Sequence, residues 1–237
     1  MSMTFGRLRL CLLASVLGLG AFYAGTRIVV LRRAAPPVHP ITDRQIAGIA
    51  TDPGWMDRQA RQQEEDPDRA LSLIGITPGM TVADIGAGSG YMTIRLARMT
   101  GPRGRVYAND IQPALLQIVR QKADAEHLAN ITIVAGTETS ANLPAGAIDI
   151  ALLVDVYHEF SHPQEMVRSI RQALKPDGRL VLVEYRKEDT TLPIADTHRL
   201  SITDARAEIE PEGFTFDAVI ESLPRQHIIV FRRSEYS

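Results

Sequence analysis

Cysteine is almost missing from this chain: Cys11 is the only one in 237 residues. No disulfide framework and no cysteine-based metal site can form within one chain. A basic surplus is missing too. The formal net charge is −2, and residues 1–35 hold five arginines (Arg7, Arg9, Arg27, Arg32, Arg33) and no acid, so the rest of the chain is distinctly acidic. An acidic body excludes the basic face that a nucleic-acid partner requires. No internal repeat is visible. No metal constellation emerges either: His158 and His162 are four apart, but Pro163 interrupts a shared helical face. What remains is ordinary for a globular core, with 45% hydrophobic and 23% charged residues.

One long apolar run is present. Residues 10–26 carry no charge and are mostly Leu, Ala, Gly and Val. With residues 28–31 the run approaches the ~20 residues that span a bilayer, although Arg27 interrupts it. An apolar membrane helix is expected over residues 1–35. The alternative is a cleaved signal peptide, but Phe22 and Tyr23 spoil the small-residue cleavage pattern. The flanking arginines favour an inner or plasma membrane location with the body facing the cytoplasm; export after cleavage is the alternative. Residues 36–70 are expected to form a proline-rich linker and polar pre-domain helices, residues 41–73 reading as helical with a break near Asp52-Pro53-Gly54, and residues 71–237 the main domain.

From Met80 onward strand and helix signals alternate. Strands are expected at residues 81–85, 105–109, 131–135, 148–154 and 179–184, with helices at 91–99, 113–128, 163–174 and 194–210. The sequence Lys175-Pro176-Asp177-Gly178 reads as a turn. Residues 214–222 and 226–231 flank a short turn and must pair antiparallel, since a parallel partner needs a long crossover. The fold class is therefore α/β: a doubly wound, mostly parallel seven-stranded sheet closed by a C-terminal antiparallel hairpin.

The densest signal is Asp84-Ile85-Gly86-Ala87-Gly88-Ser89-Gly90-Tyr91, at the end of the first strand. Such glycines let the chain turn sharply and let a ligand approach the backbone. The helix start that follows offers free N–H groups. A dinucleotide fingerprint would need glycine where Tyr91 stands, and no Gly-Lys-Ser/Thr follows for a P-loop. A carboxylate ahead of the loop would repel a pyrophosphate, yet suits loop amides or an ammonium group. Asp110 ends the next apolar run, and one carboxylate can accept both protons of a vicinal diol.

This order resembles motif I of the class I S-adenosylmethionine-dependent methyltransferases, over roughly residues 71–232. The resemblance implies that Gly86, Gly88 and Gly90 hold the methionine half of S-adenosylmethionine, with Asp84 beneath them. It implies that Asp110 holds the ribose and that Ile111 packs on adenine. The family usually places Gly-Asp after the third strand; this chain has Gly136-Thr137-Glu138, so the adenine contact falls to Thr137 or Glu138. The run Leu174-Lys175-Pro176-Asp177-Gly178-Arg179-Leu180 also resembles the superfamily and identifies no substrate; the branch the chain most resembles is the small-molecule group of the ubiquinone and menaquinone C-methyltransferases.

Methyl transfer needs alignment first, and a base only when the nucleophile carries a proton. The fourth strand ends in Asp155-Val156-Tyr157-His158-Glu159, where this fold faces the transferred methyl. Asp155, Tyr157 and His158 are the catalytic candidates, with His158 as a general base and Glu159 or Tyr157 as its orienting partner. The plain alternative for His158 is a helix cap or a core hydrogen bond. Glu184 and Tyr185 border the same crevice; His198 lies on the following element. The expected partner is a small-molecule acceptor. A nicotinamide-dependent oxidoreductase and a non-catalytic cofactor binder are the competing functions.

Overall fold

The computed structural model describes residues 36–234. The apolar run at residues 10–26 therefore lies outside the described residues. Among those described, no helix is long and apolar enough to cross a membrane.

Three short helices come first: α1 (Pro53–Met56), α2 (Arg61–Glu65) and α3 (Pro67–Ile74). The alternation follows: β1 (Thr81–Ile85), α4 (Tyr91–Thr100), β2 (Arg105–Asp110), α5 (Pro113–Ala125), β3 (Ile131–Ala135), β4 (Ile148–Val154), α6 (Pro163–Ala173) and β5 (Leu174–Arg186). The two-residue β6 (Arg199–Leu200), α7 (Ile202–Ile209), β7 (Phe214–Ile220) and β8 (Gln226–Arg233) complete the chain.

The main path of the sheet runs β3-β2-β1-β4-β5-β8-β7. β3 through β5 are parallel; β8 is antiparallel to both β5 and β7. This is the expected seven-stranded doubly wound sheet with its closing hairpin, extended at one end of β5 by β6. Helices cover both faces, which explains the uninterrupted apolar strands. Along β4, Ala151 and Leu153 face the core under α6 and α7, whereas Ile150 and Leu152 face the core under α3 and α4. The order in which successive strands join the sheet reverses between β1 and β4, and ligands bind such sheets in the crevice beyond the strand ends at that point.

Four local expectations change. The turn at residues 175–178 is a bulge within β5, not a break: pairing passes from Ile148↔Leu174 to Ile150↔Arg179. A Cβ on Gly178 would stand 2.9 Å from the Ile148 carbonyl oxygen, so glycine permits that close approach. The helix expected at residues 194–210 starts only at Ile202. Ser201 caps it by accepting from the Asp204 N–H at 2.9 Å, and Arg199–Leu200 instead pair with Tyr185 and Arg186 of β5. The helical stretch at residues 41–73 is broken into pieces. At Asp66 the backbone is left-handed (φ 51°) and its side chain caps α3, with Pro67 in the first turn. Finally, the prolines at residues 36–40 do not stand off the body. His39 is fully buried, and Val38 bridges to Gln45. The stretch is pinned by Arg44, whose guanidinium donates to both Glu208 oxygens on α7 at 3.0 and 2.9 Å.

Candidate active site

A cavity of about 360 Å³ opens at the carboxyl ends of β1 and β4, where the sheet reverses. Its first wall is the glycine loop. Gly86, Gly88 and Gly90 all have positive φ, but only Gly86 and Gly88 line the cavity; Gly90 opens α4 and packs against Val119. A Cβ on Gly86 would lie 2.3 Å from Val156 Cγ2, and one on Gly88 would lie 2.8 Å from Met56 Sδ. Side chains are excluded here, and the loop backbone is left available to a ligand.

Asp84 is buried at the base of this wall and accepts from the Thr93 hydroxyl at 2.5 Å. Burial pushes its carboxyl up to about 6, against the opposing pull of that hydrogen bond. Asp110 is held by two backbone donors: Gly88 N–H to Oδ2 at 2.9 Å and Gln112 N–H to Oδ1 at 2.8 Å. Burial raises its pKa, while those N–H bonds oppose the rise. Each carboxylate oxygen keeps further acceptor capacity. Asp110, Ile111, Thr137 and Glu138 all line the cavity, as do Asp84, Gly86 and Gly88. Thr137 is partly spent on its own turn, accepting from the Ser140 N–H at 3.0 Å. Glu138 is exposed and pairs with His162 at 3.5 Å.

The opposite wall follows β4. Asp155 lines the cavity with a left-handed backbone (φ 53°), its carboxylate gripped by Gln226 Nε2 at 2.8 Å from both oxygens. Arg61 approaches it to 3.6 Å. Burial and the neighbouring Glu65 carboxylate raise the Asp155 pKa. Tyr157 is not brought to the cavity. It sits in the core, edge-on to Phe160 at 5.7 Å, because the turn after β4 carries it inward.

His158 is brought there, and it is not alone. Its Nδ1 lies 2.6 Å from Glu184 Oε2, at the end of β5. Its Nε2 lies 3.0 Å from His198 Nδ1. Glu184 is itself fixed by the Val156 and Tyr157 N–H groups at 3.2 and 2.9 Å. A carboxylate acceptor on Nδ1 places the imidazole proton there and leaves Nε2 as an acceptor, which His198 Nδ1–H meets at 3.0 Å. Burial lowers the His158 pKa, but Glu184 more than offsets this and the net shift is upward. Burial and the neighbouring His158 lower that of His198. Glu159 approaches His158 Nε2 to 4.0 Å; burial pushes its carboxyl up to about 7.

The third wall comes from residues 36–75. Ile49, Trp55, Met56, Arg58 and Arg61 line the cavity. Asp57 accepts from the Ser89 hydroxyl at 2.8 Å and from Lys122 at 2.7 Å. Gln112 donates to the Ala50 carbonyl at 2.9 Å, and Ala47 N–H to the His158 carbonyl at 3.0 Å. Sequence reasoning missed this wall, because nothing local in residues 41–73 says where they fold back.

The fit to S-adenosylmethionine rests on this geometry: a loop stripped of Cβ atoms, an acid beneath it, a second acid with spare lone pairs, and the apolar Ile111 beside it. Together with the doubly wound sheet and its closing hairpin, the arrangement defines an S-adenosylmethionine-dependent methyltransferase, with that cofactor as methyl donor. Residues 76–215 match the family described as a methyltransferase domain, and the chain belongs to that family. It is 29% identical over 134 residues to the ubiquinone/menaquinone biosynthesis C-methyltransferase of Ectopseudomonas mendocina, covering 55% of this chain and 52% of that protein. The counterpart in Pseudomonas paraeruginosa is 30% identical over 123 residues, covering 52% and 48%. The chain thus spans about half the length of the curated relatives it matches. Among solved structures, a SAM-dependent methyltransferase from Aquifex aeolicus superposes with a TM-score of 0.70 at 25% identity, covering 75% of this chain and 94% of that one. A type 11 methyltransferase from Sulfolobus solfataricus, at 21% identity and a TM-score of 0.61, shares the fold over 73% and 95% of the two chains.

Proposed function

We propose that the protein transfers a methyl group from S-adenosylmethionine to a small, lipophilic acceptor whose nucleophile is a hydroxyl, or a ring carbon activated by one. One observation carries this reading. The cofactor wall and the His158–Glu184 wall line one continuous cavity, so a methyl held by the first faces an acceptor held by the second. When bound, the cofactor supplies an activated methyl on a sulfonium that leaves without protonation.

The chain's residues do the rest. Gly86 and Gly88 would cradle the methionine half, with Gly90 turning the chain into α4, Asp84 would face its ammonium, and Asp110 would accept from the ribose hydroxyls, with Ile111, Thr137 and Glu138 around the adenine. His158 is held in one orientation by Glu184, and the acceptor loses its proton at this end. Loss of a phenolic proton raises the nucleophilicity of both oxygen and ring carbon, so the C-methyltransferase relatives support either outcome. Asp155 shapes the floor between the two walls, and Arg61 balances its charge.

The lipophilic character of the acceptor is supported by the mouth. Ile49 and Trp55 are large apolar side chains that line the cavity yet remain exposed. Exposed apolar groups clustered at a cavity mark a binding surface. An anchor in residues 10–26 would tether the body on the cytoplasmic side, where the methyl donor is made.

The test uses the full chain in detergent, incubated with methyl-labelled cofactor and lipid extract. Label should pass to an organic-soluble product. Asp110→Ala removes the ribose acceptor; charge-assisted bonds contribute about 1.5–3 kcal/mol each, so cofactor affinity should fall about tenfold or more. Equal affinities by calorimetry would sink the Asp110 role. His158→Ala should slow turnover by ~10²–10⁴-fold with cofactor affinity nearly unchanged. Cofactor binding with no labelled product from any fraction would point to a non-catalytic binder.

A further inference from the structure

We propose that the acceptor end of the cavity is a site for a divalent transition-metal ion, bound by His158 Nε2, His198 Nδ1 and the Glu159 carboxylate. The three ligand atoms lie within 4.8 Å of one another, and all three residues face the cavity. The two imidazole nitrogens are 3.0 Å apart. Ligands at about 2.1 Å from one ion, with angles between right and tetrahedral, stand roughly 3.0–3.4 Å apart. Glu159 Oε1 lies 4.0 Å from His158 Nε2 and accepts from the Ala50 N–H at 3.2 Å; a turn of the carboxylate would bring it to the ion and exchange that bond for the metal.

A second observation comes from the far side of the ring. Metal-bound histidines characteristically donate their other N–H to a carboxylate, which fixes the tautomer and makes the ligand more basic. Glu184 stands in that position, at 2.6 Å from His158 Nδ1, fully buried and itself held by two backbone N–H groups. Two buried carboxylates, Glu159 and Glu184, thus flank one imidazole, and a cation in front of Nε2 would balance them.

The placement of His198 supports the same reading. It precedes β6, whose two residues pair with the end of β5. That pairing ties the His198 turn to the strand carrying Glu184, so ligand and supporting carboxylate share one rigid frame. Two imidazoles and one carboxylate are a ligand set that suits zinc-like ions, and three protein ligands leave a position open for substrate. The role of the ion rests on the methyltransferase reading above and would replace His158 as the base: an acceptor hydroxyl at the open position would be acidified by the ion and pass its proton to water, while the His158 Nε2 lone pair stays on the ion. Binding of the ion itself does not depend on that reading.

The untagged full chain, stripped with a chelator, is titrated with Co²⁺ and then with Zn²⁺. One Co²⁺ per chain should bind, with visible d–d absorption that Zn²⁺ abolishes. His198→Ala and Glu159→Gln should each weaken Co²⁺ binding at least 100-fold, and Glu184→Gln by about 10–100-fold. Circular dichroism and S-adenosylmethionine calorimetry on the same samples report folding and the cofactor site. A folded, cofactor-binding protein that takes up neither ion overturns the metal site and leaves the methyltransferase reading standing; the 3.0 Å contact is then a hydrogen bond between the two histidines. Co²⁺ binding that His198→Ala leaves unchanged also overturns it. Metal uptake without cofactor binding would instead sink the methyltransferase reading and spare the site.

Discussion

Asp84 shows how one residue trades stability for binding. Its folded pKa, about 6, lies above the ordinary 3.8 because burial penalises the anion. Between those values the folded chain keeps a proton that the unfolded chain has released. The stability linked to this group is therefore complete below about pH 4, is lost as pH rises toward 6, and stays lost above it. The loss is on the order of 1–3 kcal/mol. Asp84→Asn keeps an oxygen to accept from Thr93 and removes the charge. The variant should melt several degrees higher than wild type at pH 8, and at the same temperature as wild type at pH 4. Its S-adenosylmethionine affinity should be at least tenfold weaker, since no anion remains for the ammonium group. Melting curves across this pH range decide the matter: an offset independent of pH would mean that Asp84 is not the strained carboxylate of the site.

The glycine loop and the segment that folds over it act as one device. Asp57 ties the segment to Ser89 and Lys122, Gln112 ties it at Ala50, and Met56 lies against Gly88. Such part-exposed contacts contribute about 0.5–1 kcal/mol each. Removing three of them with Asp57→Ala and Gln112→Ala together should speed cofactor dissociation by about ten- to a hundredfold and lower the melting temperature by several degrees. Stopped-flow displacement measures this; an unchanged rate would show that the segment does not hold the cofactor. Gly88→Val is the harsher test. Gly88 has φ 54°, a region that a β-branched residue avoids, and the new side chain would drive Met56 away. The folded variant should lose cofactor binding. Retained wild-type affinity would reduce the loop to an ordinary turn.

Across the whole molecule, what could be read in sequence divides by the range of the contacts. The parallel strands were legible because helices cover both faces and leave unbroken apolar runs, as in β4. That the loop, Asp84 and Asp110 share one wall of the cavity was legible because they follow one another along β1 and β2, and the same spacing carried the family resemblance. The acceptor wall was only half legible. His158 stood out at a strand end, but its partners come from β5 and from a turn held by β6, and pairing at such distance leaves no local pattern. Tyr157 shows the converse: adjacent in sequence, it is turned into the core. The covering segment was illegible because a buried pair, Arg44 with Glu208, decides where it lies. The uncharged residues 10–26 raise the last question. Apolar side chains favour insertion by tenths of a kcal/mol each, and Arg27 can extend its side chain to the interface. The full chain should sediment with membranes, resist high-salt extraction and be released by detergent. Protease added outside an intact inner membrane should leave the body uncut. A shortened, soluble product outside that membrane would refute the anchor, favour a cleaved leader, and separate the enzyme from its cytosolic methyl donor.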